Sequence, residues 1–141
     1  MSVNFEWFNP KVGTPIVSLA SYGITFSKSA VQLMGTPDYV MLGFNRTGRI
    51  VGVKICDKTE ERKIPFAEKM RNGYVRLNAK DFIRHIISST GCEHDFGKEV
   101  TRYIGTWLQD EKLMLIDLNK PLHKGEVEDE SEQTENKDKN V

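Results

Sequence analysis

No apolar run in this chain approaches the ~20 residues that a helix needs to cross a bilayer, so a membrane-spanning helix is excluded. The amino terminus carries none of the marks of a signal peptide: no basic flank, no long apolar core, no small-residue cleavage site. Cysteine is scarce, with only Cys56 and Cys92 in 141 residues. That excludes a disulfide scaffold and points to a reducing compartment. The expectation is a cytoplasmic protein with no membrane partner. The Asn45-Arg46-Thr47 sequon has no bearing without secretion. Histidine is equally sparse, at three residues. There is no Gly-x-Ser-x-Gly elbow, no phosphate-cradling glycine loop and no metalloprotease His-Glu pattern. With no acid–base pair in view, no catalytic residue is named and a non-enzymatic protein without cofactors is expected.

The charge that is present is unevenly placed. Lysine plus arginine equals aspartate plus glutamate, at 20 each. Seven of those acids but only three of the cations lie between Lys124 and Val141, which leaves 17 basic and 13 acidic side chains before them, a net of +4. A mildly basic body therefore carries an acidic tail. The length, with 38% hydrophobic residues, suits a single domain over residues 1–120. The tail, 121–141, has too little apolar surface to offset the entropy of ordering and is read as disordered.

Within the body, two stretches read as versions of one pattern, 15–57 and 65–118. In the first, Val17-Ser18-Leu19 and Ile24-Thr25-Phe26 are short strands about the Tyr22-Gly23 turn. Ser27 supplies an acceptor for the free amides of a helix from Lys28 to Met34, and Gly35 ends it. Val40, Leu42 and Phe44 then alternate on one face, Asn45-Arg46-Thr47-Gly48 turns the chain, and Val51, Val53 and Ile55 alternate on the return. In the second, Pro65 and Gly73 stand fifty residues after Pro15 and Gly23. Asn78, with Asp81 three residues on, reads as the next helix cap, which matches Val31 to Phe82 at an offset of fifty-one. Phe82, Ile83, Ile86 and Ile87 form its apolar face. A second hairpin follows, in which Tyr103-Ile104 answers Tyr39-Val40, Leu108 answers Phe44 and Gln109-Asp110-Glu111 makes the turn. About thirteen extra residues, around Ser88 to Thr101, separate that helix from its hairpin. Duplication and a coincidence of common turn and cap chemistry both produce such a pattern. A true duplication implies two halves packed about a pseudo-two-fold axis, as a monomer that is its own pseudo-dimer, or else a homodimer.

Val17 to Ile55, with its strand, glycine turn, second strand, short helix ending in Leu33-Met34-Gly35 and closing hairpin, resembles the swapped-hairpin half-barrel of AbrB- and MazE-type transition regulators and antidotes. The resemblance implies an α+β fold: a small, mostly-β barrel of two pseudo-symmetric strand-strand-helix-hairpin repeats. It also implies DNA binding in transcription regulation. In that family two chains complete one barrel, and a duplicated chain would do so alone. The family's arginine after the turn glycine and its proline before the helix are here Ile24 and Ser27. Its basic first loop corresponds to the uncharged Leu19, Ala20, Ser21 and Tyr22.

The second repeat is better supplied with cations. Lys69, Arg71, Arg76, Lys80 and Arg84 are the candidate nucleic-acid-binding residues, because neutralised phosphates provide most non-specific DNA affinity. Against that stands an ordinary solvated surface, with Glu68 and Asp81 interleaved. Cys92, Glu93, His94 and Asp95 mix potential ligands, but with His85 and His123 isolated they fall short of a metal site, and none is assigned. That loop, or the acidic tail, is instead the natural contact for a protein partner; an adaptor, antitoxin or phage counter-defence role is the alternative to DNA binding. The tail either aids solubility or mimics phosphate against the basic body. Phe5, Trp7 and Phe8 read as a cover for the barrel's open end, or as a base-stacking platform, and Trp107 reads as core.

Overall fold

The computed structural model describes residues 13–91 and 100–122. Ten strands and two helices follow one another: β1 (Ile16–Ala20), β2 (Gly23–Phe26), α1 (Lys28–Met34), β3 (Tyr39–Asn45), β4 (Ile50–Cys56), β5 (Ile64–Pro65), β6 (Met70–Arg71), β7 (Tyr74–Asn78), α2 (Lys80–Thr90), β8 (Thr101–Ile104), β9 (Thr106–Leu108) and β10 (Leu113–Asp117). Two five-stranded antiparallel sheets result. Sheet A runs β6-β7-β2-β1-β8 and sheet B runs β5-β3-β4-β10-β9. The composition is mostly β with two helices, within the α+β class.

Alternation decides which side chains meet between the sheets. Val17 and Leu19, Ile24 and Phe26, Val75 and Leu77, and Tyr103 face inward from sheet A; Val40, Val51, Val53, Met114 and Ile116 face them from sheet B, and all are buried. Phe66, just past β5, sets its ring edge-on to Phe26 with centroids 5.1 Å apart. The first of the two stretches thus packs directly on the second. The same is true of backbone pairing. Inside sheet A, β2 pairs with β7 (Ile24↔Leu77, Phe26↔Val75); inside sheet B, β4 pairs with β10 (Val51↔Ile116, Val53↔Met114).

The local readings of the first stretch agree with the structure. Helix α1 spans Lys28–Met34, Ser27 Oγ accepts from the Ala30 amide, and Gly35 takes the left-handed conformation at φ 79°. β3 and β4 pair in register from Tyr39↔Cys56 to Asn45↔Ile50, and Asn45 Oδ1 accepts the Gly48 amide at 2.8 Å to hold the turn.

Three readings of the second stretch are corrected. Asn78 is not the helix cap: it is the last residue of β7, in register with Gly23. The Ala79 amide continues that pairing to the Tyr22 carbonyl at 2.9 Å, so α2 starts after Ala79, with no side-chain cap. The buried residues of α2 are consequently Ile83 and Ile86, which match Val31 and Met34 at an offset of fifty-two rather than fifty-one. Second, Tyr103 and Leu108 do not belong to one hairpin strand in one sheet. β8 joins sheet A beside β1 (Val17↔Tyr103), and only after Gly105 does the chain pair in sheet B with β10. Third, alternation continues through that crossing, so Leu108, matched to the inward Phe44, faces outward, while Trp107 packs half-buried against the core in agreement with its reading as core. An added Cβ at Gly105 would run into the Met114 side chain, which keeps that position small.

Candidate nucleic-acid interface

The outward positions of the sheet A strands mix apolar and polar side chains. Ile16, Ala20, Tyr74 and Ile104 alternate with the core-facing residues in the same way as Ser18, Thr25, Arg76 and Arg102, and Ile16 and Ala20 are buried whereas Ile104 is exposed. Register aligns one row across four of those strands: Arg76 on β7 lies opposite Thr25, Thr25 opposite Ser18, and Ser18 opposite Arg102. Both arginines are exposed and the two hydroxyl residues between them half-buried. Three strand spacings of about 4.8 Å set the arginine backbones roughly 14 Å apart. The Arg76 guanidinium lies over the Tyr22 ring, 4.6 Å from its centroid. The Tyr22 hydroxyl is 3.5 Å from Thr25 Oγ1, which holds the ring down along the sheet. A guanidinium parked on an aromatic face keeps its donors directed outward while its plane is supported.

Tyr22 gets there because of Gly23. At φ 148° it occupies a region that side chains rarely adopt, and an added Cβ would collide with the Leu77 carbonyl and the Ala79 amide nitrogen. The tight β1–β2 turn and the close approach of β7 therefore require glycine.

The five cations singled out in the sequence do not converge on one spot. Of the five, Arg76 alone lies on an interior strand of the sheet, β7, beside the edge strand β6. Lys69 ends the 3-10 turn Ala67–Lys69, and Arg71 lies on the edge strand β6. The Arg71 guanidinium folds back onto its own backbone, donating to the carbonyls of Met70 at 2.8 Å and Glu68 at 3.1 Å. Lys80 and Arg84 sit beyond the end of β7 on α2, where Arg84 approaches the Asp81 carboxylate at 3.5 Å in an exposed pair, of the kind that contributes little to stability. All five are exposed. Arg102, which was not singled out, completes the row with Arg76. Its signal was available in the alternation of Thr101-Arg102-Tyr103-Ile104, but the strand it neighbours lies far away in sequence.

Elsewhere chemistry is thin. Among the described residues no three of His, Cys, Asp or Glu come together as a metal site. His85 is exposed and meets the Phe44 ring edge-on at 6.3 Å. A shallow depression at the start of α2 is lined by Asn78, Ala79, Lys80, Asp81 and Phe82. Cys56 is half-buried, and burial, reinforced by the nearby Glu60 and Asp57 carboxylates, pushes its thiol pKa up. No helix among the described residues is long and apolar enough to cross a membrane. Phe5, Trp7 and Phe8, the Cys92–Asp95 cluster and the acidic tail from His123 onward lie outside the described residues. Pro121 and Leu122, assigned to that tail, belong instead to the fold, where the Leu122 amide donates to the Arg102 carbonyl at 2.8 Å. Comparison of the chain with known protein families, curated proteins and solved structures finds no match.

Proposed function

We propose that this protein is a non-enzymatic, cytoplasmic DNA-binding regulator whose outer sheet A face lies against the phosphate backbone. The observation that carries the reading is the row Arg76–Thr25–Ser18–Arg102, in which two exposed arginines flank two small hydroxyl residues on the outer face of sheet A. Arginines supply the charge-dependent affinity, and short hydroxyls between them let the duplex approach without a steric barrier. Lys69 and Arg71 extend the same sheet at one edge, and Lys80 and Arg84 extend it at one end, so these four contribute more weakly than Arg76.

The architecture we attach to this reading is a duplicated half-barrel. The order β1-β2-α1-β3-β4 is followed by β6-β7-α2, the split strand β8–β9, and β10. Support for closure comes from the two crossings. Gly105 alone separates β8 at an edge of sheet A from β9 at an edge of sheet B, and residues 64–71 pass from the other edge of sheet B to the other edge of sheet A.

Fluorescence anisotropy with a labelled duplex tests the function. Binding is expected at low salt and falls steeply as salt rises. Arg76→Ala and Arg102→Ala each weaken it on every sequence tried, and each lowers the slope of log K against log salt by about one. Absence of binding at low salt, or equal binding by the double variant, overturns the reading.

A further inference from the structure

On sheet B the outward positions hold Tyr39 and Met41 on β3, Ile50 and Cys56 on β4, Leu113 and Leu115 on β10, and Leu108 on β9, with polar groups confined to Asn45, Lys54, Asp117 and Thr106. An antiparallel sheet that faces water on one side ordinarily alternates apolar-in and polar-out; sheet B does not. Lys54 is the cation of this face among the described residues, and its ammonium turns aside to the Glu111 carbonyl at 2.8 Å.

We propose that the outer face of sheet B is a homodimer interface, covered by the same face of a second copy of this chain. The relief of the surface suits self-pairing. One row across it reads Gly43, Gly52, Leu115, Thr106. An added Cβ at Gly43 would meet nothing within 4 Å, so an open hollow lies there, two strands from the Leu115 knob. A two-fold axis along β4 brings each Leu115 over the other copy's Gly43 hollow and sets the two Gly52 positions against each other, where the Leu113 side chain, 3.4 Å from an added Cβ, fills the space over each glycine. An isologous contact needs this knob-and-hollow repetition across its axis. Five strands about 4.8 Å apart and five residues of about 3.3 Å each give a flat footprint of roughly 400 Å² per copy. With side-chain relief the pair buries on the order of 1,000 Å², at the low end for specific interfaces, so a dissociation constant in the micromolar range is expected. The back-to-back geometry leaves both sheet A faces outward, on opposite sides of the dimer.

Sedimentation velocity across a concentration series, from about 1 to 200 µM to bracket that affinity, is the test. The full-length chain is expected to pass from monomer to dimer. Leu115→Lys and, separately, Met41→Glu should hold it monomeric over the same range with unchanged circular dichroism, whereas Arg76→Ala on the opposite sheet should dimerise as before. A Leu115→Lys chain that misfolds leaves Met41→Glu to decide. Alkylation of Cys56, followed by mass spectrometry, should slow as the concentration rises. A chain that stays monomeric throughout, or variants that still dimerise, overturn the proposal. So does a monomer whose Cys56 is protected equally at every concentration, since the face is then covered by the chain itself. Loss of DNA binding in Arg76→Ala with dimerisation intact separates this proposal from the functional one.

Discussion

Ser27 is one hydroxyl that joins two parts of the chain. Its Oγ accepts the Ala30 amide at 3.2 Å, closing the first turn of α1, and the Ile16 amide at 3.0 Å, anchoring the start of β1. The residue is buried, so removing the oxygen leaves two amides without a partner or access to water. Ser27→Ala is expected to cost about 1–3 kcal/mol, read from urea denaturation, with Ser27→Thr recovering most of it. A second residue-scale prediction concerns Asp57. Its carboxylate accepts from both the hydroxyl and the amide of Thr59, and these bonds hold its pKa below the ordinary carboxylate range. A lowered folded-state pKa means that the native state favours the ionised form. The associated stability is present above the ordinary value and lost as pH falls through the folded one. Titration followed by NMR should place Asp57 low in the native chain, and Thr59→Val should return it toward normal.

Among the elements, α2 makes the sharpest claim. Ile83 and Ile86 are fully buried, whereas Phe82 and Ile87 are half-buried beside the core. Ile86→Ala should therefore cost about 2–5 kcal/mol, clearly more than Ile87→Ala, in the same denaturation assay. Sequence alone points one residue early here, and the reason is physical. Asn78 has the chemistry of a cap, but its backbone is taken by the ladder to Gly23, a contact between residues more than fifty apart. The elements stabilised by neighbours, α1 with Ser27 and Gly35 or the β3–β4 hairpin with Asn45, were legible down to their turns. Those decided by distant partners were not. Nothing local in Thr101–Leu108 tells that Tyr103 pairs with Val17 while Trp107 pairs with Met114. The candidate site suffered in the same way: Arg76 was legible as a cation near a turn, but its alignment with Arg102 exists only once β1 and β2 lie between them.

For the whole molecule, the two crossings govern cooperativity. Gly105 passes the chain from sheet A to sheet B against Met114, so a larger side chain there disturbs both sheets at once. Gly105→Val is expected to lower stability by about 1–3 kcal/mol while leaving a single unfolding transition, followed in parallel by Trp107 fluorescence and far-ultraviolet circular dichroism. Two separate transitions would show that the sheets melt independently.

The interleaving has a cost during synthesis. When the ribosome has released β1 to β4, β2 and β4 each present a bare edge whose native complement has not yet been made, because β7 and β10 come later in the chain. The newborn segment must wait, its greasy underside open to other nascent chains, until the carboxyl-terminal half is translated. Overproduction that crowds many such half-made chains together should favour inclusion bodies, and slower translation at lower temperature should relieve them.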